Sequence, residues 1–171
     1  PIILELEKRG WTVFIGNYSF TNLTTVTHGE WHSEHLLKIN ADSTIANQAY
    51  FPEKHLSAWY RQEKGIEKDI WCLSTRGVVP TIESYNYLIG KFAIDTLFCI
   101  DGGVDGIFRG DEYDLGTPSM DAISVIATHC SNAKEKYYVC TAFGIEGSES
   151  GVSHAQALER MADLTRRDAF L

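Results

Sequence analysis

Most of the features that would classify this chain quickly are missing. No apolar run approaches the roughly 20 residues a membrane-spanning helix needs, and no signal-peptide pattern is visible. There is no basic run, and 15 Lys and Arg against 23 Asp and Glu leave a net charge of −8. Both facts argue against nucleic-acid backbones and anionic membrane surfaces as partners. Cysteine is sparse. Cys72, Cys99, Cys130 and Cys140 show no Cys-x-x-Cys spacing, which disfavours zinc binding and dithiol redox chemistry. Reduced thiols, three of them in predicted strands as small apolar groups, suit a cytoplasmic protein. There is no Gly-x-Ser-x-Gly elbow and no Ser-His-Asp order, so acyl transfer is disfavoured.

What is present reads as an α/β pattern. At 171 residues the length fits one domain with a real core. Pro1 leads directly into a helix-like segment that ends at Gly10. An α/β domain rarely opens halfway through a crossover helix, so an upstream strand and loop are expected and the domain reads as incomplete at its N-terminus. Strands are predicted at Trp11–Ile15, Asp69–Leu73, Thr96–Ile100 and Tyr137–Phe143. Helices are predicted from Phe51 to Lys64, Thr81 to Phe92, Thr117 to Cys130, and after the capping box Ser153-His154-Ala155-Gln156. Strand–helix alternation with short connections predicts a Rossmann-like three-layer sandwich with a mostly parallel sheet. Three strand exits, Ser74–Gly77, Asp101–Asp114 and Gly144–Glu149, would then share the C-terminal edge of that sheet, where ligands bind in such folds.

The central exit is the richest. A short apolar strand ends in Asp101-Gly102-Gly103, whose glycines let a ligand approach the main chain. Asp105, Arg109, Gly110, Asp111, Glu112 and Asp114 follow. Asp101 and Asp105 are candidate oxygen ligands for Mg²⁺ or Mn²⁺. They are equally candidates for ribose or sugar hydroxyls, with glycine N–H groups and the helix start at Thr117-Pro118 taking a phosphate. Arg109 would offset phosphate charge, and Asp111 or Glu112 would act as general base. Without a ligand, the same segment is a solvated acidic turn with Arg109 paired to Asp111 or Glu112. Arg76 and Glu146 stand at the other two exits as candidate ligand-binding residues. His154, beside its helix cap, is a candidate acid/base, although a lone histidine there is more often structural.

Two other segments carry weaker signals. His28, His32 and His35 have spacings that a helical zinc site would use, but the segment lacks an apolar helix face and Leu36–Ile39 reads equally as a strand. Surface histidines are the better reading. Trp31, Trp59 and Tyr60 are a candidate homo-oligomer contact or a simple cover for the core.

Several motifs together resemble one family. Asp101-Gly102-Gly103-x-Asp105-x-x-x-Arg109-Gly110-Asp111-Glu112, followed by Leu115-Gly116-Thr117-Pro118 and Asp121-Ala122, is similar to the most characteristic stretch of the domain of unknown function 1152 family. Thr117-Pro118 stands where that family usually has Ser-Pro. Phe51-Pro52-Glu53-Lys54-His55-Leu56 and the stretch from Gly144-Ile145-Glu146-Gly147 to Leu158-Glu159-Arg160 resemble its other motifs. The resemblance implies a Rossmann-type fold of unestablished activity. It also implies a Gly-Gly-Gly-Gly-Asp loop ahead of the segment matching Pro1–Arg9, which this chain does not contain.

The expected function is binding of a nucleotide or another phosphorylated or polyol small molecule, with or without metal-assisted catalysis. The alternative is a non-catalytic ligand-binding or regulatory domain.

Overall fold

Four of the five residues of the strand Ile70–Ser74 are buried, and the first half of the chain is built around it. The computed structural model describes residues 2–46, 50–112, 118–141, 143 and 152–170. Its elements in order are α1 (Ile2–Lys8), β1 (Ile15–Ser19), β2 (Val26–Thr27), β3 (Glu30–Ser33), β4 (Leu36–Ile39), β5 (Thr44–Ile45), α2 (Pro52–Trp59), β6 (Ile70–Ser74), α3 (Val78–Phe92), β7 (Thr96–Asp101), α4 (Pro118–Cys130), β8 (Glu135–Cys140) and α5 (His154–Arg166). The chain forms two compact units, Pro1–Ser84 and Tyr85–Leu171, divided within α3.

In the first unit the sheet order is β1-β6-β4-β3. β1 runs parallel to β6 with Ile15 opposite Ile70, but β4 is antiparallel to β6 and β3 antiparallel to β4. A mostly parallel, Rossmann-like sheet is therefore not what the chain builds. The physical reason lies in the histidine-containing segment. Its two strands are joined by only two residues, Glu34 and His35, and so short a connection can link only antiparallel neighbours. Leu36, Leu37 and Ile39 are buried almost completely, which makes β4 a core strand rather than a surface loop. His35 Nδ1 lies 3.2 Å from Ser74 Oγ, and His32 sits 3.2 Å from Glu30 with its ring 4.8 Å from Trp71. His32 and His35 thus belong to a hairpin and His32 is mostly covered, while His28 precedes the hairpin and is exposed.

The core of this unit joins Leu23, Leu37, Ile39, Phe51, Ile70 and Cys72, with Ile15, Val26 and Ile45 packed on its margin. α2 begins at Pro52, a residue suited to a first helical turn, and runs into a wider turn at Tyr60–Lys64. Gly65 ends it with φ +64°, a left-handed conformation that a side chain resists. Arg61 fastens this end. Its fork donates to both oxygens of Asp42 at 2.8 Å and to Glu67 at 2.6 and 2.8 Å. The Arg61 hydrogen bond holds the Asp42 carboxyl below its usual range. Trp59 meets Tyr60 edge-on at 5.1 Å, but Tyr60 is buried, so only Trp59 and Trp31 of the expected aromatic patch are exposed.

In the second unit β7 and β8 pair in parallel, from Thr96 opposite Glu135 to Asp101 opposite Cys140. α4 connects them, as a parallel pair requires a crossover. Asp95 O accepts the N–H groups of Lys134 and Glu135 at 2.9 and 3.0 Å, which sets the ladder's start. Phe98 and Tyr137 stack across the strands at 5.3 Å. α5 opens with the expected capping box: Ser153 Oγ accepts from Gln156 N at 3.2 Å, and Gln156 Oε1 accepts from Ser153 N at 2.9 Å. Because β6 belongs to the first unit's sheet and β7 and β8 pair in another, the exits of β6 and β7 do not share one sheet edge. No helix among the described residues is long and apolar enough to cross a membrane.

Candidate functional site

Asp101 is the last residue of β7, and everything around it fixes its position. Its backbone carbonyl accepts from Thr141 N at 3.1 Å and from Thr141 Oγ1 at 2.7 Å. One carboxylate oxygen accepts the Gly103 N–H at 3.2 Å, which closes the turn after the strand. The other accepts the Tyr138 hydroxyl of β8 at 3.0 Å. Burial, then the Asp101 charge beside it, pushes the Tyr138 phenol far above its usual range, so it remains a donor.

The chain then makes a short 3-10 turn, Asp105–Ile107. Gly106 passes close against the hydroxyl end of Tyr138. A β-carbon there would lie 2.7 Å from Cζ of Tyr138 and overlap its hydroxyl. Glycine is required at this point by contact, not by backbone angle.

This path brings Asp105 beside Asp101, and the first turn of α4 adds Asp121. One oxygen from each of these three half-buried carboxyls lies within 4.8 Å of the others. Oxygens on opposite sides of a hard cation stand about 4.2 Å apart for Mg²⁺ and about 4.8 Å for Ca²⁺, so the spacing is of the right size. Asp121 Oδ2 is buried and, with the cluster ionised, finds no donor among the described residues. Burial, followed by the charges of Asp105 and Asp101 and a hydrogen bond with Asp105, raises the Asp121 carboxyl to about 6. The raised Asp121 carboxyl holds its proton more tightly than a free one, and a cation would take that proton's place.

Arg109, Asp111 and Glu112 face elsewhere. They line an open groove of about 510 Å³ together with Phe108, Gln156, Glu159, Arg160, Ala162, Asp163 and Arg166. Glu112 folds back on its own loop and accepts from Arg109 N at 2.9 and 3.1 Å and from Gly110 N at 2.9 Å. Burial opposes its ionisation, yet these backbone donors and the Arg109 charge hold its carboxyl below the usual range. The Arg109 side chain reaches Asp163 of α5 at 3.4 Å rather than Asp111 or Glu112. Arg160 Nε donates to Ile107 O at 2.6 Å and so ties α5 to the loop.

The expected site residues are therefore distributed. Asp101 and Asp105 meet in the acid cluster, Gly103 supports it, and Gly102 lies exposed beside it. Arg109, Asp111 and Glu112 form one wall of the groove, with the exposed Gly110 between them. His154, exposed at the first position of α5, has its ring 5.4 Å from Phe143 and is not among the groove's lining residues. Arg76 is exposed in the turn after β6, in the first unit. Thr117, Glu146 and Asp114, with the exit Gly144–Glu149, lie outside the described residues. Asp121 and Arg160 stand in the motifs that carry the family resemblance but were not expected as site residues, and Tyr138 was not expected at all. A helix N-terminal turn commonly carries an acid, so Asp121 gave no distinguishing signal. Tyr138 and Arg160 act across long sequence separations.

Compared with protein-family models, curated proteins and solved structures, the chain matches none.

Proposed function

We propose that this chain binds a nucleotide or another phosphorylated or polyol metabolite, with a divalent cation held by Asp101, Asp105 and Asp121 at the end of β7. The observation that carries the reading is the Asp121 Oδ2 oxygen, buried beside two further carboxylates and, with the cluster ionised, without a donor among the described residues. Burying such a group is costly unless it gains a partner, and Mg²⁺, Mn²⁺ or Ca²⁺ supplies one. Four free cysteines are consistent with a cytoplasmic setting. Membership of the domain of unknown function 1152 family is part of the same proposal, carried by Asp101-Gly102-Gly103 and the loop after it.

A second reading, a non-catalytic ligand-binding or regulatory domain, is favoured by Glu112. Its oxygens are occupied by backbone N–H groups and its proton affinity is lowered, which suits a loop staple better than a general base. Asp111 is exposed and remains the candidate base for a catalytic version. The two versions separate in one variant: Asp111→Asn removes turnover while binding persists if the chain is an enzyme, and affects binding alone if it is not.

The cation is tested by calorimetric titration of Mn²⁺ and Mg²⁺ into the wild type, Asp101→Asn and Asp121→Asn. Binding that weakens at least about tenfold in each variant supports the site. Equal binding in all three, or none in the wild type, rejects it.

A further inference from the structure

We infer that the groove between the Phe108–Glu112 loop and α5 is a seat for a phosphorylated polyol, with the phosphate on arginines and the hydroxyls on carboxylates. Four guanidiniums converge on one carboxylate. Asp163 is approached by Arg160 at 2.7 Å, Arg167 at 3.3 Å, Arg109 at 3.4 Å and Arg166 at 3.6 Å. The four like charges repel one another and Asp163 alone does not balance them; Asp111, Glu112 and Glu159 also line the groove, yet the ion pairs of all four guanidiniums run to Asp163.

Three of those arginines are more than half exposed, so their ion pairs with Asp163 are weak and easily exchanged. Planar guanidinium forks match the paired oxygens of a phosphate, and a dianion competes well with a single carboxylate. Asp163 is thus a placeholder that keeps the arginines gathered until a stronger anion arrives.

The rest of the lining selects the other end of the ligand. Asp111 and Glu159 present exposed carboxylates, which accept hydrogen bonds from hydroxyls and repel a second phosphate. A cavity of about 510 Å³ falls in the size range of small-molecule sites. These features fit a sugar or polyol monophosphate better than a polyphosphate.

This inference rests on the reading above for a phosphorylated ligand and narrows its class, but it does not need the cation. The test therefore uses the full chain with a chelator present. Ribose 5-phosphate, inorganic phosphate, pyrophosphate and ribose are titrated separately by calorimetry. Ribose 5-phosphate should bind most tightly, inorganic phosphate more weakly, and ribose not measurably.

Arg109→Gln and Arg166→Gln, both at exposed positions, should each weaken ribose 5-phosphate about tenfold. Asp163→Asn should strengthen it by a similar factor, because the competitor is gone; a purely structural role for Asp163 would weaken it instead. No binding of ribose 5-phosphate up to about 10 mM, or binding indifferent to both arginine variants, overturns the inference. Pyrophosphate binding more tightly than ribose 5-phosphate overturns the polyol assignment. Loss of Mn²⁺ binding in Asp121→Asn with ribose 5-phosphate binding retained would show the two sites to be separate.

Discussion

Asp121 is a carboxyl held near pH 6 by burial and by the acids it faces, and the sign of its effect on stability is unusual. A raised acid keeps its proton in the folded chain while the unfolded chain has lost it. The cation-free protein therefore loses stability as pH rises from about 4 to about 6, and is level above that. Asp121→Asn removes the penalty and should stabilise the cation-free protein at pH 7 by about 1–2 kcal/mol, measured by urea unfolding. An unchanged or lower midpoint would show that the cluster carries no such strain. The same proton competes with a cation, so Mn²⁺ affinity should rise with pH up to about 6 and then flatten. Affinity independent of pH across that range would separate Asp121 from the binding event.

At the scale of elements, the turn Asp105–Ile107 lies between β8 below and α5 beside it. Gly106 lies against the hydroxyl end of Tyr138, and Arg160 holds the Ile107 carbonyl. Gly106→Ala cannot be accommodated without moving Tyr138 and hence its bond to Asp101. Overpacking of this kind costs about 1–3 kcal/mol, and the cation affinity should fall with it. Tyr138→Phe should weaken the cation with less loss of stability, since it removes the hydroxyl and leaves the ring. Calorimetry and thermal unfolding on both variants check this; full cation affinity in Gly106→Ala would contradict the described path of the loop.

Elements with strong local signals were legible in advance. The Ser153–Gln156 box, the Pro52 helix start, the Gly65 stop and the apolar runs of β6 and β7 lie where their side chains and glycines predict. The β3–β4 hairpin was not legible as a hairpin, because β3 carries a glutamate, a histidine and a serine beside one tryptophan and β4 is too short to show clear alternation. That missed turn is what converted an expected parallel sheet into a mixed one.

At the scale of the whole molecule, the two units differ in what they offer. The first unit is a mixed sheet closed over an apolar core, stapled by Arg61 and by Lys68, which reaches Glu7 at 2.6 Å. The second carries the acid cluster and the groove on one stretch of chain, Asp101–Glu112, together with residues of α4, β8 and α5. Two of the cluster's three acids were visible in the sequence as site candidates, Asp101 and Asp105 after an apolar strand. The third acid was not, because α4 brings it back from a distance. Arg109 was legible as a cation beside acids, but its partner Asp163 lies 54 residues away. The cluster is the central claim, and the most direct measurement is a crystal structure of the protein grown with Mn²⁺, read by anomalous scattering. A single strong peak within about 2.2 Å of oxygens from Asp101, Asp105 and Asp121 is the predicted result. A map with no peak there, or with Mn²⁺ bound only at other carboxylates, would contradict it.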